Sequence, residues 1–334
     1  MEAGAIVKAI RAVHWTVSDH VRSRLGQVAA AELAEAVRET KGDVIYALDR
    51  DVDEVLIPAL EHWLEPVGRF RVIGEGLGDE EAFMVPAGAD PRSADGTIII
   101  DPIDGTRPLM YGKRSAWILS GYAPGTSDDL TLEDIEVAVQ TEIPTPRAAL
   151  ADQLWAIRGG GACGLTRHLE TGRETLFEPT PSRAKSIRGG FAGIVRYFPP
   201  GRDVLARIDD LIVERATGVT ARAHVFEDQY LSWAGVLYDM MTGKNRYAAD
   251  LRPFLYAARE RRGLGRGHDG HPYDLCTALV AREAGVIVTA VDKDTLDFPL
   301  DTSTPTAFAA YANDAIRAEI EPRLLAAMRE EGLL

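Results

Sequence analysis

Two aspartates stand three residues apart, directly after a run of β-branched residues. The run Thr97–Ile100 predicts a buried strand, and Asp101 falls at its carboxyl end, where open α/β sheets present ligands. Pro102 stops strand pairing and Gly105 permits a tight turn. The side chains of Asp101 and Asp104 can therefore converge on one point.

Two carboxylates this close repel each other unless a cation neutralises their charge. Carboxylate oxygens, together with the backbone carbonyl of Ile103, are hard ligands that suit Mg²⁺. The alternative is a purely structural turn, because Asp-Pro and Asp-Gly are common turn formers and Asp104 could cap the next helix. The full string from Asp101 to Thr106 after a buried strand favours the metal site.

The bulk composition limits the classes of protein that remain. A chain of 334 residues predicts two packed lobes with a cleft, which we place at residues 1–180 and 181–334. A net charge of −14 argues against nucleic acid as a partner, although bound divalent cations can locally invert the sign of a site. No apolar run approaches the roughly 18 residues of a membrane helix, so we expect a cytoplasmic protein without membrane contact.

The periodicity of apolar residues predicts an α/β protein of the α+β type. Helical spacing runs from Ile6 to Leu25, a second helix is expected over 29–39, and helical spacing returns beyond Val52 with Pro58 as a kink or break. Short β-rich runs follow from residue 70. Beyond a basic, Pro- and Gly-containing boundary, helices alternate with strands, one of them expected near 217–225.

The string Asp101-Pro-Ile-Asp-Gly-Thr106 resembles the first signature of the lithium-sensitive inositol monophosphatase superfamily, which includes inositol monophosphatases, 3′-phosphoadenosine phosphatases and fructose bisphosphatases. Other landmarks resemble that superfamily in the same order across nearly the whole chain. They are Gly74-Glu75, the segment Asp43–Asp49, the turn Trp155–Ala162, and Tyr273-Asp274 followed by Ala284-Gly285. The resemblance implies a layered αβαβα sandwich of the sugar-phosphatase type.

The resemblance also implies a set of metal ligands. Glu75, Asp101 and the Ile103 carbonyl would hold one Mg²⁺, and Asp101, Asp104 and Asp274 would hold a second. A third ion is the alternative count, and Mn²⁺ is a substitute. The superfamily usually has Glu-Glu where this chain has Glu75-Gly76, so Glu80 and Glu81 are alternative candidates for the role of Glu75.

For catalysis, the resemblance implies that Asp49 and Thr106 share a hydrogen bond and orient the attacking water. Asp49 taken alone could equally be a helix N-cap. The expected substrate contacts are Asp104, Gly105, Thr106 and Asp250, with the backbone N–H groups of the glycine and threonine receiving phosphate oxygens.

The expected function is Mg²⁺-dependent hydrolysis of a small phosphorylated metabolite, a monoester like an inositol or sugar phosphate, by a homodimer. The alternatives are a 3′-phosphoadenosine-type nucleotide phosphatase, a fructose bisphosphatase, or a catalytically silent phosphate- or metal-binding regulator. The segment 250–271 is an insertion relative to many relatives, and we expect it to act as a lid that selects the substrate. Its arginines favour a second anionic group on the substrate, with solvated surface arginines as an equal alternative.

Overall fold

The computed structural model describes residues 2–27, 36–39, 44–77, 82–219 and 222–334, and leaves the side chains of 36–39, 44–47 and 49–51 outside the description. The helix predicted over 29–39 falls partly beyond these limits, and its last four residues form a strand instead. Glu80 and Glu81 lie outside the described residues, as does the side chain of Asp49.

Two helices near the N-terminus cover one face of the first sheet. They are α1 (Ala3–Gln27) and α2 (Ala47–Leu64), and the hairpin of β1 (Ala36–Glu39) and β2 (Val44–Tyr46) precedes the second. The apolar positions that predict α1, such as Ile6, Val13 and Val21, are buried, which confirms the helical spacing. α2 continues through Pro58 without the predicted break.

An eight-stranded sheet follows, in the order β10-β9-β8-β7-β6-β5-β3-β4. Its strands are β3 (Phe70–Gly74), β4 (Ala82–Val85), β5 (Gly96–Asp104), β6 (Ala116–Pro124), β7 (Val137–Ile143), β8 (Leu150–Ile157), β9 (Ala162–His168) and β10 (Glu174–Phe177), with the short helix α3 (Thr106–Met110) after β5. The pair β3 and β5 is parallel and the other neighbours are antiparallel. This single parallel pair matters because both of its strands end at the same edge.

A five-stranded mixed sheet occupies the second half of the chain, in the order β12-β11-β13-β15-β14. Its strands are β11 (Gly190–Ile194), β12 (Val225–Phe226), β13 (Asn245–Asp250), β14 (Ile287–Thr289) and β15 (Phe308–Tyr311). The helices around it are α4 (Arg202–Thr217), α5 (Trp233–Met241), α6 (Arg252–Glu260), α7 (Pro272–Leu275), α8 (Ala278–Glu283) and α9 (Asp314–Glu330). The strand predicted near 217–225 begins later than expected, because α4 runs to Thr217 and, among the described residues, the strand that pairs with β11 is Val225–Phe226.

Three large apolar clusters hold five layers together. One joins α1 and α2 to the first sheet, a second packs α5, α7 and α8 between the two sheets, and a third joins the far face of the second sheet to α4, α6 and α9. The order is α, β, α, β, α, which confirms the expected layered sandwich. Among the described residues, no helix has the length and apolar content to cross a membrane. The division at residue 180 stays a prediction, since the middle cluster contains side chains from both sheets.

A buried histidine fastens α1 to the first sheet. His14 is fully buried, and its ring nitrogens contact Thr141 Oγ1 at 3.0 Å and Ser120 Oγ at 2.8 Å. Burial penalises the imidazolium and lowers the pKa of His14 to about 3. The unfolded value is about 6.5, so the stability that comes from neutral His14 is present above pH 6.5 and is lost as the pH falls toward 3.

We therefore expect His14→Gln to weaken the acid dependence of folding. Between pH 6.5 and 3 the unfolded state binds a proton on this histidine that the folded state does not. The wild-type free energy of unfolding should therefore fall by about 1.4 kcal/mol per pH unit below pH 6.5. Urea unfolding at pH 7, 6 and 5 measures the slope, and His62→Gln, at an exposed position, is the matched control. An equal acid slope in wild type and His14→Gln would contradict the assignment.

Candidate active site

A cavity of about 130 Å³ lies where the ends of strands from both sheets meet. Most of its lining comes from three stretches: the residues after β3, the turn from β5 into α3, and the loops around α5, α6 and α7. The lining residues are Asp53, Glu75, Gly76, Asp101 to Pro108, Tyr197, Phe198, Leu231 to Trp233, Arg252, His268 to Gly270, Tyr273 and Asp274.

The turn after β5 holds two buried aspartates in fixed positions. Asp101 Oδ1 accepts a hydrogen bond from the Ile103 N–H at 2.9 Å. Asp104 Oδ2 accepts from Ser232 Oγ at 2.9 Å and from the Ala234 N–H at 2.8 Å. The register of β5 against β6 shifts between the two aspartates, so the strand bends as the sequence signals of proline and glycine predict.

A third carboxylate reaches the same point from the second half of the chain. Asp274 lies in the first turn of α7, and its Oδ2 accepts a hydrogen bond from the His271 N–H at 2.6 Å. One carboxylate oxygen from each of Asp101, Asp104 and Asp274 lies within 4.8 Å of the other two. The structure thus brings together three of the residues that we selected as metal ligands.

Glu75 borders this cluster because β3 and β5 are parallel. The pairing sets Gly74 opposite Ile100, and the Glu75 N–H donates to the Ile100 carbonyl at 3.3 Å. Tyr273 donates its hydroxyl hydrogen to Glu75 Oε1 at 3.2 Å. Where the superfamily pattern has tryptophan before the late aspartate, this chain therefore has a hydroxyl that orients the upstream glutamate.

Burial and mutual repulsion control the protonation of these groups. Burial, with the charges of Glu75, Asp104 and Asp274, raises the pKa of Asp101 well above its usual value, and burial also raises the pKa of Asp274. Burial raises the pKa of Asp104 to about 6, against the hydrogen bonds from Ala234 and Ser232. A divalent cation would compensate these charges, and an all-oxygen donor set fits Mg²⁺.

The turn residues after the aspartates also line the cavity. Thr106 Oγ1 donates to the Ile103 carbonyl at 3.0 Å. Gly105 has a φ of 98°, and a Cβ there would lie 3.2 Å from the Leu231 carbonyl oxygen, so the backbone path requires glycine. The expected bond between Thr106 and Asp49 stays a prediction, because the side chain of Asp49 is outside the description.

Asp250 does not lie where we expected a substrate contact. It is fully buried at the end of β13 and is absent from the cavity lining. Both of its oxygens accept from Arg252 Nε, at 3.0 and 2.8 Å, and its Oδ2 accepts from Trp233 Nε1 at 2.9 Å. These bonds occupy the carboxylate of Asp250, so the expected substrate contact is corrected. Asp250 instead supports Arg252, which lies on the cavity wall.

The segment 250–271 forms part of the cavity wall. Helix α6 packs Leu255 and Tyr256 into the core of the second sheet, and the following loop returns His268, Asp269 and Gly270 to the cavity. A replacement of this whole segment would therefore remove core residues as well as wall residues.

The sequence analysis did not select the residues after β11 as part of the site. Tyr197 and Phe198 follow the carboxyl end of β11, which is parallel to β13, and both line the cavity. The rule that ligands bind at the carboxyl ends of parallel strands could have found them. No sequence signal pointed to Asp269, because its place on the cavity wall depends on the path of the long loop after α6.

Comparison by sequence finds no relative. No protein-family model matches the chain, and no curated protein matches it. The assignment of its fold therefore rests on three-dimensional comparison.

Solved structures match along nearly the whole chain. The extragenic suppressor protein suhB from Bartonella henselae has a TM-score of 0.63 at 15% identity, covering 96% of this chain and 98% of that one. A holo fructose-1,6-bisphosphatase from Leishmania major has 0.66 at 14%, covering 97% and 94%. An IMPase from Thermotoga maritima has 0.57 at 16%, covering 95% of each. The chain shares its layered sandwich fold with these three proteins.

Because burial and mutual repulsion disfavour the charged carboxylates, we predict that the metal-free site destabilises the fold at neutral pH. Their folded pKa values lie above the unfolded value of about 3.9, so metal-free protein should lose stability as the pH rises from 4 through 6 and beyond. Asp101→Asn removes one of these charges and should raise the free energy of unfolding in EDTA at pH 8 by about 1 kcal/mol or more. It should also abolish the rise in Tm on adding Mg²⁺.

Thermal and urea unfolding with and without Mg²⁺ measure both effects, and Asp292→Asn at an exposed position is the control. If Asp101→Asn is less stable than wild type in EDTA, or still gains stability from Mg²⁺, the carboxylate cluster is not a cation site.

Proposed function

We propose that the protein is a Mg²⁺-dependent phosphomonoesterase that hydrolyses a small phosphorylated metabolite. One observation carries the proposal: three carboxylates, two buried and one half-buried, have oxygens within 4.8 Å of one another and line a cavity, in a fold shared with proteins described as a fructose-1,6-bisphosphatase and an IMPase. Repelling buried carboxylates are costly for a fold unless a function uses them.

The proposed metal ligands are the two sets that the sequence resemblance implies. Glu75, Asp101 and the Ile103 carbonyl would hold one ion, and Asp101, Asp104 and Asp274 would hold a second. When bound, Mg²⁺ or Mn²⁺ lowers the pKa of a coordinated water and stabilises the charge of the leaving oxygen. Asp101 belongs to both sets, so its position is the most sensitive to substitution.

The residues of the β5–α3 turn would handle the water and the phosphate. Because the Thr106 hydroxyl hydrogen points to the Ile103 carbonyl, its oxygen can act as an acceptor and orient an attacking water. In the proposed step the Thr106 hydroxyl turns its hydrogen from the Ile103 carbonyl to Asp49, and Asp49 takes this proton while the hydroxyl oxygen takes one from the water. Gly105 and Thr106 line the cavity beside the carboxylates. Their backbone N–H groups would receive phosphate oxygens.

Release of inorganic phosphate from p-nitrophenyl phosphate, with and without Mg²⁺, tests this function. We expect turnover that EDTA abolishes and that falls by about 10³-fold or more in Asp101→Asn and Asp274→Asn, because each removes charge from a dication site. Asp292→Asn is the control for a lost surface charge. Turnover that persists in EDTA would exclude the two-metal mechanism, and Mg²⁺ binding without any turnover would favour the silent regulator.

Calcium gives a second test of the same site. Ca²⁺ prefers longer bonds and more ligands than an octahedral Mg²⁺ site provides, so it should occupy the carboxylates without supporting the reaction. We expect millimolar Ca²⁺ to inhibit in competition with Mg²⁺, measured as a rise in the Mg²⁺ concentration that gives half-maximal rate. Activity that is unchanged by Ca²⁺ would contradict a site shaped for Mg²⁺.

A further inference from the structure

The donors that fix Asp104 come from the start of α5. Ser232 is the N-cap of this helix, and its Oγ accepts from the Gly235 N–H at 2.9 Å and donates to Asp104 Oδ2 at 2.9 Å. The Ala234 N–H donates to the same carboxylate oxygen at 2.8 Å. The position of Asp104 therefore depends on where residues 227–232, here called the bridging segment, place the first turn of α5.

Tyr230 holds the bridging segment on the first sheet. Its side chain is buried, and its hydroxyl accepts from Trp117 Nε1 at 3.0 Å and donates to the Ser115 carbonyl at 2.9 Å. The ring also packs against the first turn of α5, since a Cβ at Gly235 would lie 2.4 Å from it. Apolar packing and hydrogen bonds therefore both fix this side of the segment.

The contact of the bridging segment with the second sheet depends on Gln229, which is exposed. Its Oε1 accepts from the Arg196 N–H at 2.7 Å, and its Nε2 donates to the Ile194 carbonyl at 2.9 Å and to Glu227 Oε1 at 2.6 Å. Both amide hydrogens are thereby used. Gln229 thus binds the main chain of the second sheet at two points, two residues apart.

The two backbone groups that Gln229 binds are those that a neighbouring parallel strand would bind. In a parallel ladder one residue donates to the carbonyl before the facing residue and accepts from the N–H after it. β12 pairs with β11 in parallel up to Phe226, where the pairing ends among the described residues. A carboxamide has the donor and acceptor of a peptide group, so Gln229 continues the ladder beyond the end of β12.

Arg196 adds ion pairs at the same place. Its Nη1 lies 3.1 Å from Asp209 Oδ2 on α4, and its Nη2 contacts the carboxylate of Glu227, the first residue of the bridging segment. Arg196 is followed directly by two residues of the cavity wall, Tyr197 and Phe198. These contacts therefore lie at the carboxyl end of β11, where the second sheet reaches the cavity.

We propose that Gln229 is a positioning residue for the carboxylate cluster. Its carboxamide fixes the bridging segment on the second sheet, and the segment sets the Ser232 and Ala234 donors of Asp104. Gln229 is outside the cavity lining and acts through these donors. The inference rests on the proposed function, because it takes Asp104 as a ligand of Mg²⁺. Replacement of an exposed glutamine ordinarily changes little, so an effect on the cluster would be specific to this contact.

Two substitutions test the inference. Gln229→Met keeps the length of the side chain and removes its three hydrogen bonds. Gln229→Glu keeps the shape, removes the donor to the Ile194 carbonyl and places a negative charge beside that oxygen and Glu227. Gln27→Glu is the matched control, because Gln27 is an exposed glutamine on α1 whose amide contacts Ser23.

Amide hydrogen exchange of the metal-free protein gives a readout that needs no turnover. In Gln229→Met the Arg196 N–H loses its acceptor and should exchange about two- to tenfold faster. The Ala234 N–H, which is bound to Asp104, should also exchange about twofold faster or more, because the start of α5 is held less firmly. A purely local role would change the Arg196 N–H and leave the Ala234 N–H unchanged.

Calorimetric titration with Mg²⁺, without substrate, measures the effect on the cluster itself. The Kd for Mg²⁺ should rise about two- to tenfold in Gln229→Met and at least as much in Gln229→Glu, while Gln27→Glu matches the wild type. Hydrolysis of p-nitrophenyl phosphate should then need more Mg²⁺ for its half-maximal rate, with a smaller change in kcat at saturating Mg²⁺.

Two results would overturn the inference: a wild-type exchange rate of the Ala234 N–H in both Gln229 variants, or a wild-type Kd for Mg²⁺ in both. Failure of the proposed function is distinguishable, because the wild-type protein itself would then release no phosphate. The exchange rate of the Ala234 N–H would still decide whether Gln229 positions the start of α5.

Discussion

The repulsion among three closely spaced carboxylates, two of them buried and one half-buried, is the constraint on which the rest of this structure depends. Asp101, Asp104 and Asp274 have little exposure to water, and each accepts a hydrogen bond from a backbone N–H that fixes its direction. Such bonds favour the charged forms, while burial and neighbouring charge disfavour them. The main chain therefore fixes the positions of the three carboxylates, but their negative charge is not balanced. A bound cation would balance it.

The fold assembles this site from segments that are far apart in the sequence. The parallel pairing of β3 with β5 brings Glu75 to the edge where Asp101 and Asp104 leave the first sheet. Helix α5 packs between the two sheets, and its first turn supplies Ser232 and Ala234 as donors to Asp104. The middle apolar cluster, which contains side chains from both sheets, keeps α7 and its aspartate in register with β5. The packing of this helical layer therefore also determines the geometry of the site.

Local signals predicted the parts of the site that depend on local backbone. The strand of β-branched residues, the Asp-Pro and Asp-Gly turn, and the helical spacing of α1 each act within a few residues, and the structure agrees with them. Asp250 is different, because its role depends on Arg252 turning back from the first turn of α6, an arrangement set by tertiary packing. Asp269 lies at the end of a loop whose return path no periodicity encodes. The sequence shows that this segment contains arginines, but it does not show which carboxylates they pair with.

The two parts of the cavity have separate supports. The carboxylates are fixed by backbone N–H groups and by Ser232, whereas the wall is fixed by the buried pair of Asp250 and Arg252 and by the packing of α6. Trp233 connects them, because it opens α5 beside the Asp104 donors and gives its Nε1–H to Asp250. Under the proposed function, changes in the wall would alter which substrate is accepted while the carboxylate oxygens keep their positions.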